Sequence, residues 1–360
     1  MGSEVRRGAG SARSPLWARL FVVFGAVLMF ASGGALVTGQ LLLNRYNGAV
    51  QTGNLLGDAG RKANDGRVAI TGPLNILMIG VDPRPDNPDE PPHSDSIMIM
   101  HVAKEMNRGY LFSIPRDTVV DIPRFAPAGY EGGRGKITDA MAFGSHVPNS
   151  PHPSREQGAQ LVTLVLKQLI GITFDAAAII DFSGFQNVVH ALGGVYMCVD
   201  VRTESIHKTK DNKTHVYEPG CRHMEAWEVL DYVRQRKTLP GGDYDRQRHQ
   251  QQFIKAMMKQ ATSSDVITNP AKLDAVIKAG AGSLTVDLPP GQKVSDWAFS
   301  LRNLKGDSVL MFKIPGSGIG VGDGYEGEKL DPVAEDLFRA VREERLDEFA
   351  ATHQDLVNQG

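Results

Sequence analysis

The sequence predicts an α/β domain carried behind one N-terminal membrane helix. Three observations point there. Residues 20–44 form an apolar run without an ionisable side chain. Short apolar runs at 75–80, 96–102 and 110–115, bounded by Gly, Pro or charged residues, have the length of buried strands. Downstream, stretches with apolar residues at helical spacing alternate with further strand-like runs. The 360 residues, 41% of them hydrophobic, can bury one large domain or two smaller ones. A formal net charge of −2 and the lack of a long basic run argue against nucleic acid as a partner. Two cysteines, with no CxxC pair, exclude a disulfide-dense scaffold and a cysteine zinc site.

The run over 20–44 is long enough to cross a hydrocarbon core of about 30 Å, which takes ~20 helical residues, and Arg45 ends it. Arg6, Arg7, Arg13 and Arg19 flank its N-terminal side. They predict a cytoplasmic tail over 1–19, with everything after the anchor outside the cell. A signal peptide has a shorter apolar core, of about 7–15 residues, so an uncleaved anchor is the expectation. Residues 45–72, rich in Gly, Asn, Asp and Arg, read as a linker that lifts the domain off the membrane.

The run 75–80 reads as a buried strand. Asp82 and Arg84 follow its end, where α/β proteins place ligand groups; Asp-Pro is equally common turn chemistry. A proline-rich loop leads to Asp95, which opens the strand 96–102. Two aspartates at neighbouring strand ends suit magnesium, which takes one or two carboxylates with phosphate and water. Two turn aspartates capping backbone donors are the plain alternative. A polar turn over 104–109 leads into the strand 110–115, which stops at Arg116 and Asp117. This is a structural ion pair, or an arginine aimed at phosphate and braced by its carboxylate. Lys136 follows Gly132, Gly133 and Gly135, a phosphate contact or a surface loop on a spacing unlike a P-loop.

Helices are expected over 156–170, with Gly171 as C-cap, and over 183–192, with strands at 176–182 and 195–201. Cys198 and Cys221 flank a polar excursion and, outside the cytoplasm, are a disulfide candidate. Residues 225–236 read as a helix ending in Arg234 and Arg236, where the helix dipole favours cations. After Pro240, Gly241 and Gly242, Arg246 and Arg248 open the next helix. A cation there opposes the dipole, so a bound anion explains Arg246 better, and Gln250 shares its face. With Lys237, these arginines repel unless an anion neutralises them, and the guanidinium fork suits phosphate oxygens. The expectation is a phosphate or pyrophosphate clamp whose arms are held apart by the turn; two helix ends with solvated arginines are the alternative. Strand, helix and strand follow at 283–288, 294–304 and 308–315. A glycine-rich, mobile stretch at 316–327 and a charged surface helix within 331–354 close the chain.

Several of these stretches, in order, resemble the LytR-CpsA-Psr family of membrane-anchored cell-wall phosphotransferases. They are NILMIGVDPR, HSDSIMIM, FSIPRD, KITDA, DFSGFQNVVHALGGV, and YVRQRK followed by GGDYDRQRHQQQF. The resemblance implies an α/β/α sandwich with a mixed central β-sheet. Its catalytic domain would span 73–320, leaving 321–360 as a tail with a charged helix. It implies transfer of a glycopolymer phosphate from a polyprenyl-pyrophosphate carrier in the membrane to a hydroxyl of peptidoglycan. Asp82 and Asp95 would hold magnesium at the pyrophosphate. Arg84, Arg116, Lys136, Arg234, Arg236 and Arg246 would bind its oxygens, with Gln250 beside them. Asp117 would orient Arg116 or assist deprotonation of the acceptor, and the lipid tail would lie in an apolar tunnel between sheet and helices. The family often carries an arginine three positions after the one matching Arg246. Here that position is His249, with Arg248 beside it, and either is open as the last phosphate contact. The same residues also fit a non-catalytic lipid-pyrophosphate binder, a pyrophosphatase, or the membrane-bound transcriptional attenuators that family members have been labelled.

Overall fold

A computed structural model describes residues 50–63, 69–82, 87, 89–208, 211–261, 263, 269–281, 284–320 and 322–358. The expected cytoplasmic tail, the anchor over 20–44 and Arg84 lie outside the described residues. Among those described, no helix is long and apolar enough to cross a membrane.

The scaffold is an eight-stranded sheet made of β1 (Gln51–Thr52), β2 (Leu74–Val81), β3 (Ser94–Val102), β4 (Gly109–Ile114), β5 (Ala176–Asp181), β6 (Leu284–Asp287), β7 (Val309–Phe312) and β8 (Val357–Asn358). Their order across the sheet is β1-β6-β5-β2-β3-β4-β7-β8. The sheet is mixed, as expected. β2 pairs with β5 in parallel and with β3 antiparallel; β4 pairs with β3 antiparallel and with β7 in parallel. β2, β4, β5 and β7 therefore all end at one edge, where β3 begins. That edge carries the residues described below.

Apolar side chains of the central strands face both ways, which is why their sequences read as unbroken apolar runs rather than alternating ones. Leu77, Ile79, Ile97, Ile99 and Phe112 enter one core. Helix α1 (Ile137–Ser145) packs there through Ile137, Ala140 and Met141, and α2 (Arg155–Ile170) through Leu161, Val162, Val165 and Leu166. Gly144 and Gly158 let these two helices touch: a Cβ on Gly158 would stand 2.6 Å from the Met141 carbonyl oxygen. Met98, Met100 and Leu111 point into a second core on the opposite face. A third cluster joins α3 (Phe182–Leu192), α4 (Ala226–Arg234) and α5 (Asp243–Ala261) through Val189, Val229, Tyr232, Val233 and Phe253. The strands Val195–Val199 and Gly220–Met224 close it, with Cys221 opposite Cys198 and the two joined by a disulfide.

The C-terminal segment differs from its reading as a tail. α6 (Val333–Arg342) buries Ala334, Leu337, Phe338 and Val341 in the first core, and β8 pairs with β7. The apolar stripe at i, i+3, i+4 and i+7 is narrow, and the charges around it disguise a core helix as a surface one. The glycine-rich stretch before it also differs from the mobile loop expected. Gly316–Ile319 and Gly327–Leu330 pair as an antiparallel hairpin.

Candidate functional site

At the sheet edge, Asp82 leaves β2, Asp95 lies at the start of β3, and Arg116 and Asp117 follow β4 through Pro115. Helix α1 locks these ends together. Thr138 donates its backbone N–H to the Arg116 carbonyl (3.0 Å) and its hydroxyl to the Ser94 carbonyl (3.1 Å). Lys136, just before α1, is delivered by a short strand, Gly133–Lys136, paired with Val119–Ile122. The glycines thus build an ordered hairpin, not the loose loop that was the other reading. Asp82, Asp95, Arg116, Asp117 and Lys136 line one cleft of about 340 Å³.

Each cation there is braced by a carboxylate. The Arg116 guanidinium pairs with Asp95, and its Nε lies 4.0 Å from Asp117. Lys136 Nζ stands 3.5 Å from the other oxygen of Asp117 and lies over the ring of Tyr325. Arg234, the last residue of α4, crosses to Asp82. Arg246, in the first turn of α5, is 5% exposed; its Nη2 donates to the Asp95 carbonyl (2.9 Å) and sits 2.7 Å from Asp243. Burial pulls the Arg246 pKa down, Asp243 and Asp95 oppose the fall, and neighbouring Arg116 and Arg236 add to it. Positive charge is crowded here in spite of the carboxylates. Moreover, the Nε atoms of both Arg116 and Arg246 are buried without a hydrogen-bond partner. Orphaned charged donors are costly when buried, and here two of them sit on different elements.

Of the residues singled out in the sequence, the fold brings Asp82, Asp95, Arg116, Asp117, Lys136, Arg234 and Arg246 together, with Arg236 close by. The turn that separates the two basic arms depends on Gly242, at φ +56°, and Asp245 accepts the Gly241 N–H (2.7 Å). Gln250 serves as a strut. It accepts from the Ser96 hydroxyl (2.9 Å) and donates to the Val233 carbonyl (3.4 Å), fixing β3, α4 and α5 where their charged residues emerge. Arg248 and His249 do not join the cleft; both bind Asp200, and Arg248 also binds Asp245. Asp243, the carboxylate partner of buried Arg246, was not singled out, although its i−3 spacing was a legible signal. Tyr325 was not either, and nothing in its local sequence marks it.

The family model described as LytR_cpsA_psr family matches residues 42–338. The chain belongs to that family. Among curated LytR_cpsA_psr relatives, it is 29% identical to the cell wall biosynthesis protein LcpA of Corynebacterium glutamicum, over 94% of this chain and 67% of that protein. It is 26% identical to the polyisoprenyl-teichoic acid–peptidoglycan teichoic acid transferase TagU of Bacillus cereus, over 72% of this chain and 76% of that protein. Among solved structures it shares the fold of gbs0355 from Streptococcus agalactiae, with a TM-score of 0.62 and 20% identity over 76% of this chain and 87% of that one.

The departure from the family pattern at position 249 has a structural counterpart. His249 is fully buried, stacks on Tyr232 (ring centroids 4.2 Å apart) and reaches Asp200 at 3.1 Å. Burial pushes the Asp200 carboxyl up, but hydrogen bonds from His249 and Arg248 outweigh it and hold the group well below its usual 3.8. A depressed carboxylate pKa gives stability that is fully present above the unfolded value and is lost as pH falls through the folded one. Asp200→Asn should therefore lower the Tm at neutral pH, and the gap to wild type should close as pH drops below about 3.8. A gap that persists unchanged in acid, followed by thermal unfolding across pH, would show that Asp200 acts through packing rather than charge.

Proposed function

We propose that this protein is a membrane-anchored transferase. It moves a glycopolymer phosphate from a polyprenyl-pyrophosphate carrier to a hydroxyl of peptidoglycan, outside the cell. The observation that carries the reading is positive charge gathered from four segments at one cleft: Arg116 and Lys136 line it, Arg234 pairs with Asp82 on its wall, and Arg246 lies buried behind Asp95. A pyrophosphate brings several negative charges and many acceptor oxygens, which this set of donors matches. The similarity to TagU, named a polyisoprenyl-teichoic acid–peptidoglycan teichoic acid transferase, supports the same class. The uncharged run at 20–44 would keep the domain beside a donor that cannot leave the bilayer.

In the reaction the acceptor oxygen attacks the phosphorus that bears the polymer. The new O–P bond replaces the bridging P–O bond, and polyprenyl phosphate leaves with the electron pair. Such transfers need alignment and charge neutralisation more than covalent help. Arg116, Arg234 and Arg246 bind the phosphate oxygens and hold the reacting groups in line. Asp117, which lies between Arg116 and Lys136, would take the hydroxyl proton. Asp82 and Asp95 are two carboxylates on one cleft. Among the described residues no group of three or more His, Cys, Asp or Glu could hold a metal. The pair fits magnesium only with phosphate oxygens and water completing the shell. Asp82 and Asp95 would then hold an ion whose chemistry is to neutralise phosphate charge.

The full-length protein in detergent, given a synthetic polyprenyl-pyrophosphate-linked oligosaccharide and peptidoglycan, should yield acceptor-bound phosphodiester and polyprenyl phosphate in equal amounts. Release of oligosaccharide phosphate into water instead would make it a pyrophosphatase. Binding without turnover would make it a carrier-binding protein.

A further inference from the structure

The groups along the functional edge stand in a fixed order. Asp82, with Arg234 against it, leaves β2; Asp95 lies at the start of β3; Arg116 and Asp117 follow β4. The ends of β2 and β4 are two strands apart, about 10 Å. On the far side of β4, β7 runs parallel to it, so the chain leaves β7 at the same edge, next to Asp117. There it folds into the hairpin of Gly316–Ile319 and Gly327–Leu330. The hairpin is bonded to the wall of the cleft. The Glu328 N–H donates to the Asp117 carbonyl (2.8 Å), and a Cβ on Gly327 would stand 2.6 Å from that same oxygen. Lys136 Nζ, 3.5 Å from the Asp117 carboxylate, lies over the ring of Tyr325, 4.9 Å from its centroid.

We propose that this hairpin holds the acceptor, seating a sugar of the peptidoglycan glycan strand against Tyr325 so that its hydroxyl enters the cleft past Asp117. This rests on the function proposed above and places the acceptor within it. In phosphoryl transfer the attacking and leaving oxygens lie roughly in line, on opposite sides of the phosphorus. An acceptor that gives its proton to Asp117 must come in beside Asp117, and the wall beyond that residue is the hairpin. The end of the cleft at Asp82 and Arg234 is left to the donor.

The surface suits a sugar. Tyr325 is 38% exposed. Its hydroxyl donates to Glu328 (2.9 Å), which also accepts from the Tyr244 hydroxyl (3.2 Å). The ring is thereby fixed with apolar surface open to the C–H groups of a pyranose. Both phenol oxygens keep lone pairs for a sugar hydroxyl or an amide N–H. Burial, the bond to Glu328 and the charge of Asp117 all push the Tyr325 pKa up, so the phenol stays neutral.

Gly318 points to the same place independently. It is exposed, pairs with Glu328 in the hairpin and lies outside the left-handed region. A Cβ there would meet nothing closer than the Tyr325 ring, at an ordinary 3.5 Å. Neither packing nor backbone conformation demands glycine at this position, and glycine weakens a strand. What its bare surface does provide is room for a ligand to lie against the tyrosine.

The test uses the full-length protein in detergent, a synthetic polyprenyl-pyrophosphate-linked oligosaccharide as donor and soluble, uncrosslinked glycan strands as acceptor. Tyr325→Ala should raise the acceptor KM about tenfold, the scale of one well-made aromatic contact, and leave the donor Kd within about twofold. Tyr325→Phe, which retains the ring, should keep most of the acceptor affinity. Gly318→Val puts a strand-favouring side chain into open space; it should leave the Tm unchanged and raise the acceptor KM to a similar extent. An acceptor KM that stays at the wild-type value in Tyr325→Ala and Gly318→Val overturns the proposal. So does a fall in kcat alone, which would reduce Tyr325 to a brace for Lys136. A weakened donor Kd with the acceptor KM unchanged overturns it too, by giving the hairpin to the donor. Wild type that binds the donor and transfers it to no acceptor overturns the transferase reading itself, whereas normal ligation by wild type and variants alike sinks only the acceptor site.

Discussion

Arg116→Ala should reduce ligation of polymer to peptidoglycan by about 10³-fold, the range for removing a preorganised charged donor from a transition state. Arg116 stands at the end of β4, and its guanidinium is committed on one side to Asp95. Asp117 lies near its Nε, so the position of the head group is fixed from two sides. Arg116→Lys should recover little. An ammonium is a point charge without the fork that can hold Asp95 and offer a second N–H in another direction. Stability should change by no more than a few °C in Tm, as for loss of one partly exposed ion pair in a domain of this size. The Asp95 carboxylate left behind still has cations nearby. Unchanged ligation by purified Arg116→Ala would remove the chemical role given to this cleft.

The parts of this architecture that were legible in the sequence are those fixed locally. β2, β3 and β4 are buried on both faces, and their apolar runs announce them. The charged residues at which the β2 and β4 runs stop and the β3 run starts lie at one edge, because β3 is antiparallel to both its neighbours. Arg234 and Arg246 were legible as a pair from the Pro-Gly-Gly turn between them. What stayed hidden depends on distant partners. The stripe on α6 becomes core only because the sheet lies beneath it. Residues 316–330 become a hairpin because the two halves pair, which glycine-rich sequence does not specify. Gln250 looks like a ligand contact from its shared face with Arg246, yet Ser96, 154 positions away, takes its carbonyl oxygen. Arg248 could have been excluded in advance. Two residues beyond Arg246 lie about 200° around a helix, so it points away from any anion that Arg246 holds.

The balance of charge in the cleft explains a second feature. Asp82, Asp95, Asp117 and Asp243 each lie against one of the cations proposed to bind phosphate. Without such carboxylates, Arg116, Arg236 and Arg246 would repel one another and destabilise the fold. With them, a phosphate ligand must outcompete an internal partner, which favours a dianionic or more highly charged group over a single carboxylate or a neutral headgroup.

Replacing Arg246 and Asp243 together separates function from stability at this site. The environment of Arg246 as a whole disfavours its charge, since burial is the largest influence and lowers its pKa while Arg116 and Arg236 act in the same direction. Removing one member of a buried ion pair is costly, whereas replacing both is often neutral or stabilising. The test therefore combines Arg246→Met with Asp243→Asn, whose side-chain oxygen can still accept from Gln247. The double variant should unfold at the wild-type temperature or above it, while ligation falls by about 10²-fold or more from the loss of a charged donor. This is the pattern of a residue kept for function at the expense of stability. Thermal unfolding and the ligation assay on the same preparation decide it. If the Tm drops by several degrees and activity falls only as far as the folded fraction does, the pair is a structural anchor of α5 and the phosphate oxygens are held by Arg116 and Arg234 without Arg246.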